Sequence, residues 1–221
     1  MTEDLYPRLA GLVAGRRVDM LCRKDGPIPH EPDLVVRFNH DEAPADIWAT
    51  AFFGVPSVTL SRGARLIVGT VPDCRWEVHP HGWPKDFSAE KVDYLARGGI
   101  PAERVEQVDF EHWRSLIDEL PAVPLSGLVF LSMLRRTRVD RCVIHDMDFY
   151  STATTPLRSG RWHGDVHDLH FAALWVRRLL RDDRRFEFVG DIDACVDAAQ
   201  ARIAAASAEL ADGELTEGRQ A

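Results

Sequence analysis

Cysteine is scarce in this chain: four among 221 residues, at Cys22, Cys74, Cys142 and Cys195, none in a C-x-x-C pair. Their wide spacing, and the apolar neighbours of Cys22 and Cys142, fit free thiols in a reducing cytosol rather than a disulfide framework. There is no surplus of positive charge. The formal net charge of −8 argues against general binding to nucleic acid or to an anionic membrane, since both need a positive footprint. It leaves room for a single phosphate held by a local arginine or a helix N-terminus. No apolar run reaches membrane-spanning length. The start, Met1-Thr2-Glu3-Asp4, is acidic and without an apolar h-region, so no signal peptide is expected. No internal repeat is visible.

What is present is ordinary for a globular protein: 45% apolar and 28% charged residues, enough chain for one domain with a real core. We expect that domain over residues 1–212, with a frayed polar tail from 213 to 221. Apolar spacing predicts a helix over Leu5–Val13, stopped at Gly15. Strands are predicted at Val18–Cys22, Leu34–Phe38, Ile47–Phe53, Arg65–Val68, Val105–Val108, Val139–Ile144 and Phe186–Val189. Helices are predicted from the Ser88 cap to Arg97, from the Asp109 cap to Leu120, over Leu128–Arg136, and over Asp191–Ala211. The last has a narrow apolar stripe, which suits the outside of the domain or a dimer contact. Val71–Pro84, with three prolines, reads as a loop or lid. Strands alternating with helices predict an α/β, Rossmann-like domain with a mostly parallel sheet flanked by helices.

Chemistry gathers between Pro124 and Phe171. Ser126-Gly127 opens a helix, where free N–H groups and a small residue suit an anion; an ordinary helix start after proline is the plainer alternative. The strand before residue 145 ends in His145-Asp146-Met147-Asp148-Phe149-Tyr150. Asp146-x-Asp148 reads either as a D-x-D clamp for a divalent ion, as a ribose or sugar ligand, or as a solvated pair capping the loop. His163, His167 and His170 fall at i, i+4 and i+7. Gly164 interrupts a continuous helix, and Asp165 has the look of an N-cap, so His163 is expected in the loop and His167 in the first turn. There the helix end favours the neutral imidazole that a general base requires. Arg37-Phe38-Asn39 ends an apolar strand; Arg37 suits either an ion pair with Asp46 or a phosphate, and Asn39 a base or ribose.

In combination these pieces resemble the sialyltransferases. Asp33 to Asn39 is similar to the D-x-V-x-R-x-N strand of that family's large motif. Pro124-x-Ser126-Gly127, an apolar helix, and Val143 to Tyr150 resemble its small motif, above all in the bacterial form ending D-F-Y. Val166-His167-Asp168 resembles the very short last motif, and Trp162-His163 stands where the short histidine motif falls. The order fits over about Arg17–Val189. The resemblance implies a Rossmann-like glycosyltransferase that takes a CMP-activated sugar, needs no metal or other cofactor, and transfers the sugar with inversion to an acceptor whose nature is not readable. It implies His167 as general base, His163 beside the leaving phosphate, and Asn39, Ser126 and Gly127 around CMP. With Asp148 as a further catalytic candidate, and Arg37, Asp146 and Tyr150 as further nucleotide ligands, this completes the expected site. The chain departs from the pattern at Arg23-Lys24-Asp25-Gly26, where a Gly-Asn-rich turn is usual, and at Ala172, where a glutamate is usual. Three alternatives remain: a nucleotide or nucleotide-sugar hydrolase or glycosidase on the same fold, a metal-dependent D-x-D glycosyltransferase, and a nucleotide-binding protein without catalysis.

Overall fold

Proline at the first position of a helix has its φ pre-set and lacks an N–H that would find no partner there. The first helix, α1 (Pro7–Val13), begins in this way. It ends before Gly15, whose φ of +64° glycine adopts without strain. The computed structural model of the protein describes residues 5–22, 31–38, 44–50, 63–69, 96–97, 99–120, 124–149 and 168–217. Among them are strands β1 (Arg17–Leu21), β2 (Leu34–Phe38), β3 (Ile47–Thr50), β4 (Leu66–Gly69), β5 (Val105–Gln107), β6 (Arg141–His145) and β7 (Phe186–Val189). Helices α2 (Phe110–Glu119), α3 (Ser126–Arg135), α4 (Leu169–Asp182) and α5 (Ile192–Glu217) stand between and after them.

The strands form one sheet in the order β5-β4-β3-β2-β1-β6-β7, and every neighbouring pair is parallel. The sheet is therefore wholly parallel, and the α/β, Rossmann-like expectation holds at that level. The physical reason is visible in β1, β2 and β4. Nearly all of their residues are buried, whichever way they point. Strands covered on both faces belong to parallel sheets.

The two faces are nonetheless unlike. Val18, Met20, Leu34, Val36, Ile47, Ala49, Leu66, Val68, Cys142 and Ile144 alternate onto one face, where they join α1, α2, α3 and α4 in the main core. α3 lies at the heart of it, with every residue from Gly127 to Leu134 buried. A helix that is apolar all round is one with protein on all sides. Trp48, Ile67 and Val105 point the other way, into a small cluster with Ala64 and Ile100. Toward β1, β2 and β6 that second face turns polar. Asp19 and Arg37 lie there, and both are buried.

Several boundaries need correction. Asp109 caps α2 as expected, accepting from the His112 N–H at 3.0 Å. The cap of α4 is Asp168, not Asp165; its carboxylate accepts from Phe171 N–H at 3.0 Å. His167, expected in the first turn, lies outside the described residues. α5 does not stop at Ala211 but continues through Gly213 to Glu217. The expected continuation of β3 to Phe53, the lid at 71–84 and the Ser88 cap lie outside the described residues. No described helix is long and apolar enough to cross a membrane.

Candidate functional site

From β1 the chain moves outward through β2, β3, β4 and β5, then returns to lay β6 on the other side of β1. Connections on the two sides of that switch depart in opposite directions. In open α/β sheets the ligand crevice lies at the carboxyl ends of the strands flanking such a switch, here β1 and β6. Residues at those ends are Leu21, Cys22, His145 and the turn that follows. Cys22 N–H donates to His145 O at 3.1 Å, so the pairing of the two strands runs to the rim. Arg37 is level with Leu21 on the adjoining strand, β2.

The second face of the sheet carries the charged part of this crevice. Asp19, in the middle of β1, has no solvent exposure. A lone buried carboxylate would be very costly, so it must be paired. Arg17 approaches it as a fork, Nε to Oδ2 at 2.8 Å and a terminal nitrogen to Oδ1 at 2.9 Å. His145 Nε2 meets Oδ1 at 2.7 Å. The side chain of His145 is 15% exposed, and its other ring nitrogen, Nδ1, makes no hydrogen bond among the described residues. Parallel register makes the triple contact possible, since Arg17 is level with Arg141 and Leu21 with His145. Asp19 lies between them on the same face.

Beyond His145 the backbone turns tightly. Asp146 has φ +54° and Phe149 φ +50°. Aspartate visits this left-handed region more readily than most residues, but a bulky phenylalanine does so rarely. Phe149 is buried, so packing holds the turn in place. Strain of this kind collects where a site needs one fixed shape.

The start of α3 closes the opposite wall. Its N-cap, Leu125, offers no side-chain cap. Leu128 and Val129 N–H turn back to Leu125 O at 2.9 and 3.1 Å. The N–H groups of Ser126 and Gly127 thus stand outside the helix's own pairing. A Cβ on Gly127 would come within 2.6 Å of Met147 Cε and 3.3 Å of Met20 Cε. Met147, from the turn after β6, and Met20, from β1, thus pack their side-chain ends against this first turn of the helix. α5 meets the same turn, with Cys195 Sγ 3.8 Å from Met147 O.

The thiols at this rim are held protonated. Burial pushes the Cys22 thiol well above its usual range, and Cys142, Asp146 and Asp148 add to the effect. Cys142 is raised by burial and by Asp19, and Cys195 by burial, Asp148 and Asp191. A protonated thiol is a poor nucleophile. These three cysteines are free.

Of the residues expected in the site, Arg37, Ser126, Gly127, Asp146 and Asp148 fall at this one edge. Arg37 Nε donates to Pro44 O at 3.3 Å. Asp46, considered as its partner, accepts from Val35 N–H at 2.9 Å and lies 3.8 Å from Arg65. Asn39, Tyr150, His163 and His167 lie outside the described residues. His170, third in the histidine series, reaches Val196 O through Nδ1 at 3.4 Å and belongs to the α4–α5 contact. Among the described residues no cluster of three or more His, Cys, Asp or Glu could hold a metal ion. Asp19 and His145 were not expected in the site. The signal for Asp19 was a charged residue inside the apolar run Arg17-Val-Asp-Met-Leu21. Comparison with protein-family models, with curated proteins and with solved structures found no match.

Proposed function

We propose that the crevice between β1 and β6 binds a cytidine nucleotide and that the protein is a glycosyltransferase of the sialyltransferase kind, moving a sugar from a CMP donor to an acceptor hydroxyl. The observation that carries this reading is the convergence of both halves of the motif pattern on one sheet edge. Arg37 comes from the first half; Ser126, Gly127, Asp146 and Asp148 come from the second. The parallel register and the packing of Met147 on α3 bring these distant segments together at the switch point, the usual ligand position of such sheets. In the mechanism, the uncapped α3 start offers N–H groups to the phosphate, with favourable dipole sign. Arg37 supplies a permanent positive charge beside it. The resemblance gives the proton-accepting role to His167 and the leaving-group side to His163.

The test is a thermal-shift series with CMP, CDP, UMP, UDP and GDP. CMP at a hundredfold its dissociation constant is expected to add about 2.7 kcal/mol of stability, and UDP or GDP much less. Turnover of a CMP-sugar is expected to survive EDTA. A preference for a nucleoside diphosphate, with activity lost on chelation and restored by Mn²⁺, would replace this reading with the metal-dependent D-x-D transferase.

A further inference from the structure

We infer that His145, oriented by the buried carboxylate of Asp19, is the proton acceptor of this site, and that Asp19 and Arg17 are its positioning residues. The inference rests on the nucleotide-sugar reading given above and assigns within it a role that the motif resemblance gives to His167.

Three observations support it independently. The first is the direction of the ring. Asp19 Oδ1 lies 2.7 Å from Nε2, and an ionised carboxylate can only accept, so the proton of a neutral ring belongs on Nε2. That leaves Nδ1 as the basic nitrogen, with no hydrogen bond to any described residue. A carboxylate that fixes the tautomer of a histidine and stabilises the imidazolium formed from it is the shared logic of hydrolytic triads. The second is the fixing of the carboxylate itself. Asp19 is fully buried and gripped by both nitrogens of the Arg17 fork. It cannot swing away when the ring changes charge. A purely structural pair tying β1 to β6 would not need the ring at the open end of the strands, where Asp146 and Phe149 are held at positive φ beside it. The third is position: His145 is the last residue of β6, at the switch point itself.

The step balances as follows. The acceptor's O–H bond breaks and its proton goes to Nδ1 of His145. The oxygen's electron pair forms the new bond to the anomeric carbon. The bond from that carbon to the CMP phosphate oxygen breaks, and its electron pair leaves on the phosphate. The imidazolium is held against Asp19 until it loses the proton to solvent. Water in place of the sugar hydroxyl gives hydrolysis by the same movement.

The experiment follows CMP release from CMP-N-acetylneuraminate, with and without lactose as acceptor, from pH 5 to 9. Wild type, His145→Gln, Asp19→Asn and His167→Ala are compared, and CMP affinity is measured by calorimetry in each. His145→Gln is expected to lower kcat by about 10²–10⁴-fold, with CMP affinity within about threefold of wild type. Asp19→Asn is expected to lower kcat and move the acidic limb of the pH profile, which loss of a structural bond alone would not do. Near-wild-type turnover in a folded His145→Gln, with loss in His167→Ala, would overturn the inference and leave the nucleotide reading standing. A wild type that neither binds CMP nor releases it would overturn the nucleotide reading, and this inference with it. Should the variants not fold, diethyl pyrocarbonate is used on the wild type. Loss of turnover is expected to track carbethoxylation of His145 and to be slowed by CMP. Inactivation with His145 unmodified overturns the assignment.

Discussion

His112 sits on α2, over the face of the sheet that carries the main core, and His145 ends β6 with its ring on the opposite face. Other side chains grip both rings, and the grips differ in kind. Around His112 the polar atoms form a closed series. Asp109 N–H donates to the Tyr6 oxygen at 3.4 Å, and the Tyr6 hydroxyl is hydrogen-bonded to Nδ1. Nε2 meets Ser132 Oγ at 3.0 Å, and the Ser132 hydroxyl donates to Val129 O at 2.7 Å. Because the serine proton is committed to a carbonyl, Nε2 donates, and in the neutral ring Nδ1 is left to accept from the Tyr6 hydroxyl. Burial, then the nearby charge of Arg136, lowers its pKa from 6.5 to about 4, against a smaller opposing pull from Asp109. The Tyr6 hydroxyl is pushed up to about 12, mainly by burial. Around His145 the partner is a charge, and one nitrogen is left over. A closed neutral series can join the start of α1 to α2 and α3 but has nothing to exchange. An open ring on a carboxylate can take up a proton and release it.

The widest break in this comparison comes from removing a charge. Arg17→Met leaves Asp19 buried with only His145 beside it. Truncating one partner of a buried pair costs about 3 kcal/mol or more, and Arg17 is partly solvated, so about 3 kcal/mol is expected from urea unfolding. The double variant Arg17→Met/Asp19→Leu is expected to recover most of that loss, because it removes the stranded charge. If the single variant is as stable as wild type, the charged grip on His145 contributes nothing to the fold.

The His112 side is tested by pH. In the unfolded chain the ring takes a proton near pH 6.5, and in the native protein only near 4. Between those values the unfolded state binds more protons, so stability is fully present above pH 6.5 and falls as pH drops toward 4. From pH 7 to pH 5 the loss from this one group is roughly 2 kcal/mol. His112→Gln is expected to remove that slope, read as the difference between the two stability–pH curves. Parallel curves would mean that the ring is not held neutral.

These two clusters also mark what a linear sequence can disclose. The strands β2 and β7 were readable to the residue, because short apolar runs there are bounded by turn residues. The α2 cap was readable from Asp109 placed just ahead of an apolar periodicity. The α4 cap was not, since Asp165 and Asp168 both satisfy the pattern and only the observed bond to Phe171 N–H chooses between them. The Asp19–His145 contact joins residues 126 apart in sequence. It depends on which strand lies beside β1 and in what register, and neither follows from local periodicity. Tyr6, His112 and Ser132 likewise come from three separate segments. Residue types pointed to chemistry near β6, but the partner that orients it came from the other side of the switch.

The smallest effect is the most discriminating for the turn after β6. Asp146 is held at φ +54°, which costs an L-residue roughly 1 kcal/mol, less for aspartate than for most. Glycine takes that conformation freely but has more unfolded-state entropy to lose. Asp146→Gly is therefore expected to change stability by only about 0.5 kcal/mol, in the stabilising direction, by thermal unfolding. The Asp146 carboxylate has no hydrogen bond among the described residues, so the fold gives little reason for an aspartate there. Should the variant gain that stability and lose CMP affinity by calorimetry, the strained aspartate is kept for the ligand. A loss of more than about 1 kcal/mol would instead give its carboxylate a structural role in the turn, and the case for strain held in readiness beside His145 would fall with it.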